Sequence, residues 1–266
     1  MGTALQFFRT HPIFTLVEFR HAVSAHATSS TSQTLIKYHL GRGTLRLVER
    51  GVYAVVPPGV EASRFAPDRF LVAAALRPDA VLAYHSALEL LGFAHSTYRD
   101  VFFLTGRRRK DLQLGSGKIR ALLHPKRLRV RHAEDSGVEV RERAGVKLHV
   151  TGPERTLVDC LTTLRYAGGL EEALQSLRGV PAFDLDRLAG YLDVLGQRRA
   201  FAIVGAYLEQ EAERLFVPAA YLTRLAKKVP RSPTYLARER EGGRFLRRWN
   251  LVVPRQWRRE ASAVEV

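Results

Sequence analysis

Residues 14–56 read FTLVEFRHAVSAHATSSTSQTLIKYHLGRGTLRLVERGVYAVV. Near the start, Thr15 and Glu18 stand three residues apart and form a capping box. In such a box the Thr15 hydroxyl accepts a hydrogen bond from an unpaired amide of the first helical turn, and the Glu18 carboxylate reaches back to the Thr15 amide. Phe14 and Phe19 flank the box as a hydrophobic staple. Apolar residues then recur at helical spacing, which predicts a first, supporting helix.

A second helix is predicted from Ser30 to Leu40, because the run of small hydroxyl residues before it favours turns and helix N-caps. One side of this helix is apolar and carries Leu35, Ile36, His39 and Leu40. The other side carries short polar groups, one lysine and one tyrosine, which suit a helix in the major groove of DNA. The residues predicted to contact DNA from this helix are Ser30, Thr31, Gln33, Thr34, Lys37 and Tyr38.

The residues after the second helix predict a wing. Gly41 and Gly43 are expected to end the helix in left-handed conformations, and a strand, a turn and a second strand follow. Arg46 and Arg50 are placed where the cations of a wing contact phosphate or the minor groove. The alternative is a small helical domain that contacts protein, with both arginines merely solvated. We favour DNA and predict a winged helix-turn-helix DNA-binding domain at residues 1–59.

Composition agrees with a nucleic-acid partner. The 266 residues carry 42 Lys and Arg against 26 Asp and Glu, a formal charge of +16, which favours a polyanionic partner. The lone cysteine, Cys160, lies in an apolar helical pattern, so core packing and a reducing compartment are expected. No apolar run approaches the roughly 20 residues needed to cross a bilayer, and the first residues lack an export pattern. We expect a soluble cytoplasmic protein without membrane contact.

Residues 60–266 predict a second domain, which begins after the breaker cluster Pro57-Pro58-Gly59 and is rich in strands to about residue 150 and helical afterwards. The predicted fold class is therefore α+β: an N-terminal winged helix-turn-helix, then a C-terminal α+β domain with a mostly antiparallel sheet and a helical C-terminal half. Helices are predicted at 70–76, 84–92, 153–164, 170–177, 185–195, 200–215 and 218–229, and strands at 101–104, 119–123, 138–140 and 146–150.

Two basic runs lie outside the wing. Residues 107–110 follow a predicted strand, and residues 126–132 alternate cations with apolar residues as an exposed strand would. They either track a phosphate backbone, meet an acidic or RNA-bearing partner, or form an ordinary charged surface. The candidate second basic surface consists of Arg107, Arg108, Arg109, Lys110, Lys126, Arg127, Arg129 and Arg131. Near the C-terminus, arginines alternate with Trp249 and Trp257, which suits base stacking or, equally, coverage of a core edge.

Other motifs argue against catalysis. Residues 115–118, Gly-Ser-Gly-Lys, lack the earlier glycine and the final hydroxyl of a phosphate loop, so a hairpin turn is predicted. His85-Ser86 is the best catalytic fragment, but no spacing nominates a base, and a helix N-cap is the preferred interpretation. The histidines lack the spacing of a zinc site, and the carboxylates are too scattered for a metal-dependent nuclease. We predict no metal, no cofactor and no enzymatic activity.

Four segments together resemble the AbiEi family of bacterial antitoxins. They are the winged helix ending in residues 50–53, the His85-Ser86-Ala87-Leu88-Glu89 helix start, the segment 153–161 (PERTLVDCL) and the segment 168–174 (GGLEEAL). The resemblance implies a winged-helix domain that represses its own operon on double-stranded operator DNA. It also implies a C-terminal domain that counteracts a cognate AbiEii-type nucleotidyltransferase toxin, usually without a stable complex between the two proteins.

Within the segment 153–161, Arg155 and Asp159 stand four residues apart, so they are expected to pair on the helix surface. Such an arginine is more often a structural clamp than a ligand site. The alternative to an antitoxin is a winged-helix transcription regulator whose second domain senses something other than a toxin.

Overall fold

The computed structural model describes residues 2–23, 29–236 and 243–258. The chain forms two compact units. The first comprises residues 1–82, 99–122 and 140–150, and the second comprises residues 83–98, 123–139 and 151–266. The sequence-based boundary at residue 59 lies inside the first unit, so an independent domain of residues 1–59 stays a prediction.

The first unit begins with a winged helix-turn-helix. Its elements are α1 (Gly2–Thr10), β1 (Ile13–Thr15), α2 (Leu16–Val23), α3 (Ser29–Gly41), β2 (Leu45–Glu49) and β3 (Val52–Val55). The strands lie in the order β1-β3-β2, and β3 pairs antiparallel with both neighbours. The prediction of this motif is confirmed, although α1 and β1 were not expected.

Aromatic packing holds the winged helix together. Phe7 and Phe8 of α1 meet Phe14 and Phe19, with ring centroids 5.2 Å apart for Phe7 and Phe14 and 5.6 Å apart for Phe8 and Phe19. Each such pair adds about 0.5–1.5 kcal/mol beyond the buried area. The predicted capping box is confirmed, because the Thr15 amide donates to Glu18 Oε2 at 2.6 Å and the Glu18 amide donates to Thr15 Oγ1 at 3.2 Å.

A six-stranded sheet accounts for most of the remaining first unit. Its order is β6-β7-β5-β4-β9-β8, and β4 pairs antiparallel with β5 and parallel with β9. Helix α4 packs on β5 and on β1 of the winged helix, which is why this unit continues past residue 59. The elements are α4 (Arg69–Ala75), β4 (Val81–Leu82), β5 (Val101–Thr105), β6 (Leu112–Leu114), β7 (Gly117–Leu123), β8 (Val138–Arg143) and β9 (Val146–Thr151).

The predicted turn at residues 115–118 is confirmed. Leu114 pairs with Gly117, so Gly115 and Ser116 form the two-residue loop of the β6–β7 hairpin. Gly115 has φ +58°, a conformation that a two-residue hairpin loop requires and that glycine adopts without steric cost.

The second unit is mainly helical. Helix α7 lies at its centre and packs against α5, α8, α9 and α10. Cys160 is fully buried in α7, as predicted, and burial raises the pKa of its thiol. The elements are α5 (His85–Leu91), α6 (Lys126–Val130), α7 (Pro153–Thr162), α8 (Leu170–Arg178), α9 (Leu185–Leu195), α10 (Arg198–Gln210), α11 (Ala219–Ala226), β10 (Thr234–Tyr235), β11 (Arg244–Leu246) and β12 (Leu251–Val253).

The prediction of a strand at residues 126–132 is wrong, because residues Lys126–Val130 form helix α6. Pro125 stands at the N-cap, where its missing amide hydrogen leaves no hydrogen bond of the helix unmade. Only Leu128 of the alternating apolar residues is buried, whereas Val130 is exposed. Because only one of these apolar residues is buried, the alternation of cations and apolar residues did not indicate a strand. Among the helices of the described residues, none has the length and apolar character needed to span a bilayer.

Candidate nucleic-acid interface

Helix α3 has one buried and one exposed face. Ser32, Ile36 and His39 are buried, and Ile36 belongs to the core of the winged helix. The sequence-based division of the helix therefore holds, with Ser32 added to the buried side. The side chain of Ser30 lies outside the described part of the chain. The other residues predicted to meet DNA from this helix are all exposed: Thr31, Gln33, Thr34, Lys37 and Tyr38.

A tight cap ends α3. The Gly43 amide donates to the Leu40 carbonyl and the Thr44 amide donates to the His39 carbonyl, both at 3.1 Å, which is a Schellman motif. Gly43 has φ +70°, as predicted. Gly41 is instead the last helical residue, so its predicted left-handed conformation is wrong. The cap turns the chain directly from α3 into the wing.

Arg42 joins the exposed side of α3, although the sequence-based prediction missed it. Its Nη1 donates to the Tyr38 hydroxyl at 2.8 Å, and its guanidinium carbon lies 5.6 Å from the centre of the Tyr38 ring. The hydrogen bond to Tyr38 raises the pKa of Arg42 further above its already high value. The i, i+4 spacing of the two residues was the available signal.

One of the two arginines predicted to act on the wing is exposed to solvent. Arg50 is exposed at the turn between β2 and β3, next to Gly51 at φ +83°. Arg46 is half-buried, and its guanidinium donates to the Phe65 carbonyl. A role for Arg46 on the nucleic acid stays a prediction, and its observed contact is structural.

The first basic run lies beside the wing. Arg109 pairs with Glu49 of β2, which brings residues 107–110 next to that strand. Arg107, Arg108 and Lys110 are exposed. The first unit therefore carries exposed cations on α3, at the wing tip and in the run beside the wing.

The other half of the predicted second basic surface belongs to the second unit. Lys126, Arg127 and Arg129 lie on α6, and Arg131 follows that helix. Two of these side chains make structural contacts: Arg129 Nε donates to the His124 carbonyl at 3.0 Å, and Arg131 Nη1 donates to the Val194 carbonyl at 3.1 Å. Arg131 thus caps the C-terminal end of α9, where cations are favourable.

The predicted helix start at Tyr84-His85-Ser86 is confirmed, but His85 does not supply the cap hydrogen bond. The N-cap is Tyr84, which makes no side-chain cap hydrogen bond. The fully buried His85 ring places Nδ1 3.2 Å from Glu89 Oε1 and Nε2 3.1 Å from Glu172 Oε1. Ser86 is also fully buried, so this pair is not exposed to a substrate.

Glu172 connects three segments of the chain through hydrogen bonds. Its Oε2 accepts a hydrogen bond from Ser96 Oγ at 2.7 Å, and its Oε1 accepts one from Ser176 Oγ at 2.9 Å. Burial raises the pKa of Glu172, but these hydrogen bonds and the one to His85 outweigh burial and lower it. The polar residues of two family-like segments, 85–89 and 168–174, thus form one buried network.

Arg155 is a buried clamp, and the prediction that it pairs with Asp159 on the helix surface is wrong. The Arg155 side chain is 0% exposed and its Nε donates to Asp159 Oδ2 at 3.3 Å. Its Nη1 donates to the carbonyl oxygens of Glu134 and Ser136, at 2.6 and 2.7 Å. Tyr191 completes the group by donating to Asp159 Oδ1 at 2.7 Å. The clamp joins α7 to α9 and to the loop before β8.

The second unit also contains a pocket of about 590 Å³. Gly137, Gly152 and Gly190 form part of its wall, and Glu139 and Arg187 supply charges, with Arg187 Nη1 3.9 Å from Glu139 Oε1. Within the described ranges, no three His, Cys, Asp or Glu side chains are grouped so as to hold a metal ion.

Comparison with known proteins reveals a shared fold. No protein-family model matches the chain, and no curated protein matches it. The chain is similar in structure to the RV2827C protein from Mycobacterium tuberculosis, known from a crystal structure. The TM-score is 0.58 at 17% sequence identity, over 95% of this chain and 90% of that one. The chain is thus an α+β protein with an N-terminal winged helix-turn-helix, and the likeness extends over nearly all of it.

Proposed function

We propose that the chain is a DNA-binding antitoxin that represses its own operon and counteracts a nucleotidyltransferase toxin of the AbiEii type. The observation that supports DNA binding is the exposed polar face of α3, backed by a closed aromatic core and followed by a wing with a cationic tip. Antitoxin function is supported by the resemblance of the four sequence segments to the AbiEi family.

In this proposal α3 lies in the major groove. Gln33 and Thr34 meet base edges, where amides and hydroxyls can read the donor and acceptor pattern, and Lys37 meets a phosphate. Tyr38 and Arg42 extend the contact at the end of the helix. The wing cation Arg50 and the exposed cations of the run beside the wing, Arg107, Arg108 and Lys110, contact the flanking backbone.

Two activities of the full chain test the proposal. A reporter driven by the promoter upstream of the coding sequence measures repression, and growth during expression of the neighbouring nucleotidyltransferase measures protection. Lys37→Ala is expected to lose repression and keep protection, because Lys37 is exposed on the winged helix. The matched control is Lys147→Ala, an exposed lysine on β9, which should change neither activity. A folded chain that never protects cells contradicts the antitoxin part.

A second candidate is a winged-helix transcription regulator whose second unit binds a small molecule. The pocket of about 590 Å³ supports it, because ligand pockets occupy about 300–1,000 Å³. In that case the chain gives no protection from the toxin, and a metabolite extract changes its affinity for operator DNA. A Cβ at Gly190 meets no atom within 4 Å, so Gly190→Phe is expected to fill the pocket and abolish that change.

A further inference from the structure

The three-stranded sheet near the C-terminus carries a row of apolar side chains on one face. β12 is the central strand, parallel to β10 and antiparallel to β11. Tyr235 of β10 and Phe245 of β11 are both opposite Val252 of β12. Paired residues of neighbouring strands point to the same face, so the three side chains form one row. Tyr235 is 39% exposed and Phe245 is 44% exposed. We call this row the aromatic platform.

The other face of this sheet is fixed to the helices. Leu251 and Val253 alternate with Val252 and are buried. Trp249, which precedes them, is fully buried, and its Nε1 donates to Glu209 Oε2 at 2.6 Å. Trp257 is buried as well, so the stacking role considered for the two tryptophans is wrong and they cover the core.

Hydrogen bonds to the main chain hold β10 in place. Arg199 Nη2 donates to the carbonyl oxygens of Tyr235 and Leu236, at 3.1 and 3.0 Å. Asn250 Nδ2 donates to the Pro230 carbonyl at 2.9 Å, which fixes the segment before β10. The aromatic platform is therefore supported by ordered main chain, and a ligand does not have to order it on binding.

The surroundings of the platform are cationic. Residues 214–258 contain twelve Lys and Arg residues against two Glu. Arg231, Arg247 and Arg255 are exposed on the segments that flank the sheet, whereas Arg244 pairs with Val253 and so belongs to the face opposite Phe245. Their charge complements a polyanion, and the two aromatic rings complement flat, apolar bases.

We propose that the aromatic platform binds single-stranded nucleic acid, with bases stacked on Tyr235 and Phe245 and phosphates held by the surrounding arginines. Neighbouring strands are about 4.8 Å apart, so the two aromatic residues stand roughly 10 Å apart across β12 and can engage separate bases. A duplex hides its base faces, whereas a single strand exposes them to such a sheet. This site lies outside the winged helix and does not depend on the function proposed above.

Fluorescence anisotropy of the full chain tests the platform. The probes are a labelled 12-nucleotide oligouridine, a labelled 12-nucleotide oligothymidine and a labelled duplex. Tyr235→Ala and Phe245→Ala are each expected to weaken binding of at least one single strand by about 5- to 150-fold, the usual effect of losing one stacked base. Tyr235→Leu and Phe245→Leu keep an apolar side chain on the sheet and should show the same loss. Whether oligouridine or oligothymidine binds more tightly identifies RNA or DNA as the ligand.

The matched control is Phe216→Ala, which removes another exposed aromatic side chain of the same unit and should leave single-strand binding unchanged. Duplex binding should be weakened in Lys37→Ala and unchanged in the platform variants, so the two sites are tested independently. The proposal is overturned if wild-type protein binds neither single strand. It is also overturned if the platform variants bind as wild type does, or if Phe216→Ala weakens binding equally.

Discussion

Gly205→Ala tests how the C-terminal sheet is attached to the helices. Gly205 lies in the middle of α10, where replacing glycine by alanine ordinarily stabilises a helix by about 1 kcal/mol. At this position an added Cβ would lie 2.0 Å from Cζ3 and 2.4 Å from Cη2 of Trp249. The indole cannot give way easily, because it is fully buried and hydrogen-bonded to Glu209. Either the helix shifts or the ring leaves its site.

Expulsion of a buried indole costs about 3–5 kcal/mol, by analogy with truncation of a core tryptophan. After the gain in helix propensity, Gly205→Ala is expected to lower the free energy of unfolding by about 2–4 kcal/mol. Urea denaturation followed by tryptophan fluorescence measures this change.

The control is Gly190→Ala in α9 of the same unit, where a Cβ meets no atom within 4 Å. This substitution should stabilise the protein by about 0.5–1 kcal/mol. A Gly205→Ala protein as stable as wild type, or stabilised to the same extent as Gly190→Ala, would refute the packing of Trp249 against α10. Gly205→Ala should also weaken single-strand binding, because a displaced Trp249 would displace the sheet that carries the aromatic platform.

Three further outcomes can be measured by denaturation. Arg155→Met should cost about 3–5 kcal/mol because it breaks a buried ion pair, whereas Arg187→Met, at a side chain 71% exposed, should cost less than about 1 kcal/mol. Burial, and to a smaller extent the nearby charge of Arg42, lower the pKa of His39 from 6.5. The folded state therefore binds this proton less tightly than the unfolded state does. The free energy of unfolding should fall as the pH drops below about 6.5. His39→Gln should flatten this dependence, and an unchanged pH profile would contradict it. Phe216 has φ +51°, so Phe216→Gly should stabilise the protein by about 0.5–1 kcal/mol, and a loss of stability would argue that the exposed ring packs on something.

Local signals predicted the winged helix well. The capping box at Thr15 and Glu18 and the left-handed glycine at Gly43 depend on contacts within a few residues, which a sequence displays directly. Helix α1 was not predicted, because its apolar residues show their role only through their packing against Phe14 and Phe19, which the sequence does not display. The two-residue strand β4 is likewise defined by its neighbours in the sheet and not by a pattern of its own.

The polar residues were harder to place. The spacing of Arg155 and Asp159 predicted their pairing, but not that α7 is surrounded by other helices, so the pair was expected on the surface. Trp249 and Trp257 stood among arginines in the sequence, yet they are buried, while Tyr235 and Phe245 of the adjacent strands are exposed. Exposure of this kind is set by strand register across the sheet, and a single strand of two or three residues does not reveal its register.

The most direct test of DNA recognition is a titration of the full chain with the DNA upstream of its own coding sequence, against unrelated duplex, over a series of salt concentrations. Binding should be saturable and selective for the upstream DNA. Lys37→Ala should weaken binding and reduce the slope of log K against log salt by about 0.9, the change expected for one lost phosphate contact. Lys147→Ala should bind as wild type does. Equal affinity for both duplexes, or a slope that Lys37→Ala leaves unchanged, would contradict operator recognition by α3.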